Sequence, residues 1–528
     1  MTTGLFRDLL AAVMLVIGGA IPCTAAYAPS TVAPPKPMQE IRATWVASVG
    51  NLDWPSQKGL STADQKAELI AILDRAVQLK INTIIFQVRP GCDALYASRI
   101  EPWSEYLTGT MGQAPAPFYD PLAFAIDQAH LRGLELHAWF NPYRARHSNA
   151  KSPISSGHVS KTRPNLVRKY GSYLWLDPGE PETQAYSLSV VMDVVERYDV
   201  DGVHFDDYFY PYRENDSAGR ELDFPDGPSW QKYGSGKKLS RDDWRRENVN
   251  SFIHNTYNAI KARKPWVKFG ISPFGIWRPR NPQQIHGFDP YANLYADSRK
   301  WLMNGWVDYF APQLYWAIDP PDQSFPVLLR WWADQNPLRR HLAPGLDATK
   351  VGGKWDAREI VNQVSLTRQQ PGASGDVFWD VKSLMRSDAL DAALERGVYA
   401  EPALPPAYPW LESRRPPQPK LTAHSGSSTS SSQAIWSTTE PIKIWLWLVQ
   451  SRKDGVWITE ILPSRKTSRA WPGTGPDVIA LSSVDRFGNV SAPAVMERSS
   501  GTNAPPQATS APRVGRASAS SLKQGKRN

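Results

Sequence analysis

Cysteine is nearly absent from this chain of 528 residues, which carries only Cys23 and Cys92. Cys23 lies in an N-terminal segment that reads as a leader, so processing leaves Cys92 alone and no intramolecular disulfide can form. Cys92 sits between Gly91 and Asp93 with no histidine beside it, and reads as a buried thiol rather than a nucleophile. Long hydrophobic runs are also missing. The apolar run 9–21 is shorter than the roughly 20 residues a membrane span needs, and no later segment qualifies. Zinc-ligand spacing, a helix-turn-helix pattern and aromatic RNA-binding strands are all absent, so the net charge of +9 does not point to nucleic acid. It suits an anionic polymer such as a cell-wall glycan. No Gly-rich phosphate turn follows the first strand, which weighs against an open dinucleotide-binding sheet. Ser272 lacks the Gly-flanked turn of a serine nucleophile, and His137 and His204 have no third partner at metal-ligand spacing. Neither cofactor nor metal is expected.

Tryptophan, in contrast, is abundant, with 22 copies. Many must pack in the core, but indoles also stack on the apolar faces of pyranose rings. Arg7, the apolar run and the small-x-small triplet Ala26-Tyr27-Ala28 read as a signal peptide over 1–28. This implies an exported protein of the periplasm or cell envelope. Pro22 fits a lipoprotein signal poorly, which disfavours lipid anchoring at Cys23. Residues 29–39 read as a linker. From 40 to 400 short apolar runs alternate with helical periods. Strands are expected near 43–49, 83–88, 134–140, 200–205, 267–272, 307–314, 341–346 and 376–381. Helices are expected at 64–80, 121–132, 182–198, 242–263, 291–305, 326–335, 357–370 and 389–396. Eight such pairs define a (β/α)₈ TIM barrel. A Pro-rich linker over 401–419 leads to short alternating strands within 420–498, a small β-sandwich of fibronectin III/Ig type. That sandwich could contact other cell-envelope proteins. The Ser/Ala/Pro-rich basic tail 499–528 is expected to be disordered.

The run DGVHFDDYFYP over 201–211 carries the most chemistry. Side chains alternate along a strand, so Val203 and Phe205 share one face while His204, Asp206 and Tyr208 share the other. Barrels work at the C-terminal ends of their strands, and several strands deliver polar or aromatic groups there. They are Arg89 with Asp93 beyond it; His137, Trp139 and Asn141, followed by Tyr143 and Arg144; Trp277 and Arg278; Gln313 and Tyr315; Asp347; and Asp380. Glycoside hydrolysis requires a carboxylic acid for the leaving oxygen and a second group at the anomeric carbon. Asp206 suits the second task. Asp207 is either a loop cap or, if the strand ends in a bulge, the second carboxylate; Asp347 and Asp380 are the other candidates for the acid. The rings and Arg89, Asn141, Arg144 and Gln313 would hold sugar. The long polar insertion 211–241 overhangs the same face.

The blocks ATWVASVGNLDWPS (43–56), FQVRPGCDALY (86–96), HAWFNPYR (137–144), DGVHFDDYFYP, FGISPFGIWR (269–278) and DYFAPQLYW (308–316) resemble the glycosyl hydrolase-like 10 family. The resemblance implies an exported bacterial glycosidase-like barrel, some relatives of which cut peptidoglycan glycan strands stripped of stem peptides. The 201–208 block is also similar to the chitinase-like family 18 signature. Here His204 replaces an Asp of that signature, and Tyr208 stands where that family has its catalytic Glu. The resulting expectation is a hydrolase of a cell-envelope amino-sugar polymer. A non-catalytic glycan-binding scaffold and a hydrolase of a neutral exopolysaccharide are the alternatives.

Overall fold

A computed structural model of the protein describes residues 26–386, 388–427 and 430–499. Most of the expected leader and the basic tail lie outside these residues. Eight parallel staves form the barrel: Ile41–Val46, Thr83–Arg89, Glu135–Phe140, Gly202–Phe205, Lys268–Ile271, Tyr309–Phe310, a seventh in two pieces (His341–Leu342 and Gly345–Asp347), and Gly375–Trp379. The eighth stave pairs with both the first and the second piece of the seventh, which closes the sheet. The seventh is interrupted at Pro344, which has no N–H to give to a ladder. Pro312 likewise cuts the sixth short of its expected length.

Outer helices follow from an apolar stripe at helical spacing. The helix Thr62–Gln78 starts where the Ser61 side chain accepts the Asp64 N–H, and it buries Leu69, Ile72, Leu73 and Ala76. Alternation along the fourth stave holds as expected. Val203 and Phe205 belong to the core between sheet and helices, where Phe205 stacks on Phe252 of the helix Arg241–Arg263 at 5.7 Å. A separate lumen core contains Ile41, Ala43, Trp45, Ala47, Ile85, Trp139, Tyr309 and Val377. Room inside is tight. A Cβ on Gly270 would fall 1.9 Å from the Tyr309 ring, so only glycine admits that ring here.

The C-terminal sandwich has a five-stranded sheet and a three-stranded sheet, the latter formed by Lys420–His424, Ser432–Ser437 and Ser468–Trp471. The first sheet contains Leu446–Lys453, Val456–Pro463, Val478–Val484 and Ala494–Arg498, and its outermost strand is Tyr27–Pro29. This departs from the sequence reading, which ends the leader at Ala28 and treats 29–39 as a tether. Three residues ending in proline are too few to show strand periodicity, and their partner lies more than 460 positions away. The segments 29–39 and 401–419 are not loose. Glu40 N–H donates to Leu404 O at 3.0 Å, Gln450 donates to Pro35 O at 2.9 Å, and Trp410 donates to Asp308 at 2.9 Å. Arg486 of the sandwich makes two hydrogen bonds of 2.6 Å to Asp199 at the barrel's N-terminal end. The two domains therefore meet at the end opposite the catalytic face of a barrel.

Candidate active site

At the C-terminal ends of the staves lies a cleft of about 350 Å3. Asp206 and Asp207 are its only lining carboxylates among the described residues. The fourth stave ends at Phe205, so the alternation that would send the two apart no longer applies, and both enter the cleft. Trp139 Nε1 donates to Asp206 Oδ2 at 3.1 Å, the Asn141 amide donates to the same oxygen, and Tyr208 N–H donates to Oδ1 at 3.3 Å. Asp207 accepts from the Tyr212 hydroxyl.

Burial and the neighbouring Asp207 charge push Asp206 up to about 7, against the opposing pull of Arg144 and the Asn141 hydrogen bond. Burial also raises Asp207, against its bond from Tyr212. Burial of both groups and the charge of Asp207 beside Asp206 thus favour one proton on the pair near neutrality. That is the charge state glycoside hydrolysis uses: one proton to give and one anion to stabilise positive charge.

A polar relay fixes the pair from behind. Ser48 and Val49 N–H groups donate to Gln87 Oε1 at 2.9 and 2.8 Å, Gln87 donates to Asn141 Oδ1 at 3.0 Å, and Asn141 donates to Asp206. Arg144 also donates to Asn141 Oδ1, and its guanidinium lies 4.9 Å from the centre of the Tyr208 ring. Below the cleft a second chain runs down the lumen. Trp45 Nε1 donates to His204 Nε2 at 3.1 Å, which leaves the His204 proton on Nδ1 for Tyr309 at 2.9 Å. Tyr309 can then donate to His137 Nδ1 at 2.9 Å, and His137 Nε2 to Glu135 at 3.2 Å. Glu135 is paired with Lys268 at 2.6 Å. Both histidines are thus satisfied lumen groups beneath the cleft. Among the described residues no cluster of three or more His, Cys, Asp or Glu could hold a metal ion.

Of the residues singled out by sequence, the cleft gathers Trp139, Arg144, Asp206, Asp207, Tyr208, Gln313 and Tyr315, with Asn141 bonded to Asp206. Others are placed elsewhere. Arg89 is turned to Glu101, which it meets at 2.8 and 2.6 Å while buried. Asp93 accepts the Gly91 N–H at 3.2 Å inside the loop after the second stave. Tyr143 is fully buried outside the lumen, against Phe252. Trp277 is stacked on Trp331 at 5.9 Å and donates to Asp297, while Arg278 lies over Tyr291 and near Asp289. Asp347 caps the following turn through Thr349 N–H at 3.2 Å and meets Lys350 at 3.2 Å. Asp380 caps the helix Val381–Leu384 through Ser383 N–H at 3.0 Å and its hydroxyl at 2.8 Å. Neither lines the cleft.

The cleft also contains groups that sequence reasoning passed over: Trp45, Val49, Leu52, His147, Tyr212, Phe274 and Trp379. Trp379 meets Trp45 and Trp139 edge to face at 6.2 and 6.3 Å, making three indoles around one floor. Burial and Arg144 lower His147 to about 4, so it is neutral at pH 7. A larger cavity, about 650 Å3, lies at the domain junction. Of its carboxylates, Asp199 is paired with Arg486 and Glu440 with Lys443, while Glu412 accepts the Ser413 and Arg414 N–H groups and Asp485 those of Phe487 and Asn489.

A closed (β/α)₈ barrel with two adjacent buried carboxyl groups and three indoles in its mouth suits a glycosidase. Comparison with known proteins agrees: the sequence pattern of the family described as Glycosyl hydrolase-like 10 matches residues 40–359. The chain belongs to that family. It is 42% identical over 397 residues to Glycosyl hydrolase YngK of Bacillus subtilis (strain 168), covering 73% of this chain and 76% of that protein. It is 38% identical over 372 residues to Glycosyl hydrolase DigH of Escherichia coli (strain K12), covering 65% of this chain and 83% of that protein. Among solved structures it is similar to the PgaB (BpsB) glycoside hydrolase domain of Bordetella bronchiseptica, at 14% identity and a TM-score of 0.45, covering 68% of this chain and 98% of that one.

Proposed function

We propose that the protein is an exported glycoside hydrolase that cuts glycosidic bonds in a cell-envelope amino-sugar polymer, the glycan strands of peptidoglycan. The observation that carries the reading is the Asp206–Asp207 pair in an aromatic cleft. Three N–H donors converge on Asp206 and fix its direction, and the pair holds one proton between its two members. Asp207 then protonates the leaving oxygen, and Asp206 stabilises or attacks the anomeric carbon. Trp45, Trp139, Trp379 and Tyr315 provide faces for sugar rings.

The loop after the third stave, whose Arg144 lines the cleft, is basic. Between 144 and 169 the chain carries Arg144, Arg146, Lys151, Lys161, Arg163, Arg168 and Lys169, and no acid. Lys151, Lys161 and Lys169 are exposed and have no ion pair among the described residues. Glycan strands freed of stem peptides bear a lactyl carboxylate on every second sugar, and the exposed lysines of this basic loop would attract such an anionic polymer. Incubating the purified protein with denuded peptidoglycan strands, chitin oligomers and α-glucans, with products read by mass, tests the reading. Cleavage confined to denuded strands is expected. Cleavage of the α-glucans alone would remove the amino-sugar assignment, and no cleavage of any would remove the hydrolase.

A further inference from the structure

The sandwich lacks its outermost strand until the chain's own N-terminal segment supplies it. Tyr27, Ala28 and Pro29 pair antiparallel with Arg498, Glu497 and Met496. Tyr27 is buried with Trp436, Trp447, Ile479 and Leu481, and its hydroxyl donates to Pro476 O at 2.5 Å. The pairing continues on both sides. Ser30 N–H donates to Val495 O at 3.0 Å, and the Ser30 hydroxyl donates to Glu497 at 2.8 Å. On the other side, Ala26 O accepts the Ser499 N–H at 2.9 Å and the Ser499 hydroxyl at 2.7 Å.

We infer that the leader is cut N-terminal to Tyr27, at the Ala25–Ala26 bond, rather than after Ala28. This rests on the export reading above. Leader peptidases need small residues one and three positions before the cut. Cys23 and Ala25 meet that need for the Ala25–Ala26 bond, and Thr24 and Ala26 meet it for the bond that follows. The reaction is a hydrolysis: water adds across the amide, leaving a carboxylate on Ala25 and an amine on Ala26. Cutting at Ala25–Ala26 keeps Ala26 O, and with it both Ser499 bonds. Cutting after Ala28 deletes the Tyr27 ring and two of the three paired residues. It would expose the apolar cluster that the ring covers and leave Pro476 O without its donor.

The full chain, expressed in a Gram-negative host and recovered from the exported fraction, gives the answer by N-terminal sequencing and intact mass. A first residue of Ala26 is expected, and a first residue of Tyr27 would overturn the assignment of the Ala25–Ala26 bond. A first residue of Pro29 would overturn the inference and leave export standing, whereas a chain that still starts at Met1 would overturn both. A second measurement asks whether the strand matters to the fold. Purified chains beginning at Ala26 and at Pro29 are unfolded by heat, followed by near-ultraviolet circular dichroism. The shorter chain should lose its sandwich transition at a midpoint lower by about 3 °C or more. Coincident transitions would remove the physical reason for sparing Tyr27 and contradict the inference.

Discussion

Asn141 faces Asp206 with its amide nitrogen, while its carbonyl oxygen accepts from Gln87 and Arg144. One side chain therefore fixes the direction of the carboxylate and is itself fixed by two neighbours, Gln87 on the second stave and Arg144 in the loop after the third. The orientation of that amide follows from its partners, since two donors on Oδ1 leave only the NH2 group for Asp206. Replacing Asn141 with Ala removes a hydrogen bond to a charged group and takes the acceptor from the Gln87 amide and from one Arg144 nitrogen, while Arg144 Nε keeps Pro90 O. Such bonds are worth about 1.5–3 kcal/mol, so kcat should fall roughly 10- to 100-fold. A steady-state comparison of Asn141→Ala with the parent, showing unchanged kcat, would mean that Asp206 does not need this support.

Tyr212 lies outside the barrel strands, in the insertion, yet its hydroxyl reaches Asp207. Tyr212→Phe keeps the ring stacked on Phe288 at 5.2 Å and removes only the donor. Losing a donor raises the pKa of the carboxyl it served, so the pH dependence of kcat should move to higher pH. An unmoved profile with normal activity would take Tyr212 out of the acid/base machinery.

The pair's proton sets a pH limit. Because burial and mutual repulsion hold Asp206 up to about 7, one proton stays on the pair below that value and is lost as pH rises through it. Hydrolysis should therefore decline on the alkaline side of about pH 7. In Asp207→Asn the repulsion is gone while Arg144 and Asn141 still favour the charge, so Asp206 should titrate lower. Carboxyl 13C shifts of the two proteins would report this, and an unchanged titration would show that the groups are not coupled.

Much of this architecture is legible in the sequence. The second stave spans Thr83–Arg89 where 83–88 was expected, because a run of β-branched residues bounded by turns has one natural reading. Strand periodicity also placed Asp206, His204 and Trp139 in the lumen. It could not assign their depth, so His137 and His204, two layers of one hydrogen-bonded column, both looked like cleft residues. Nor could it anticipate partners brought in from elsewhere. Arg89 is captured by Glu101 from the loop beyond its strand, and Trp277 by Asp297 and Trp331. Tyr212 and Trp379 were missed for the converse reason. Tyr212 sits in a loop and Trp379 at the last position of the eighth stave, where alternation gives no strong signal.

The reassigned residues are separable by experiment. Arg89→Met leaves Glu101 buried without its cation, and breaking a buried pair costs about 3–5 kcal/mol, so the unfolding midpoint in denaturant should drop. Trp277→Ala should also destabilise the fold, while KM and kcat at a temperature where both proteins are folded stay near the parent's values. A selective rise in KM for Trp277→Ala would restore Trp277 to the sugar-binding surface.

In the proposed reaction Asp206 and Asp207 act together on a glycosidic bond. The most direct test follows new reducing ends over time on denuded peptidoglycan strands with the parent and with Asp206→Ala, alongside a binding measurement on the same strands. The parent should release ends steadily, and Asp206→Ala should release none while binding within a few-fold of the parent. Turnover by Asp206→Ala at the parent's rate would contradict the account.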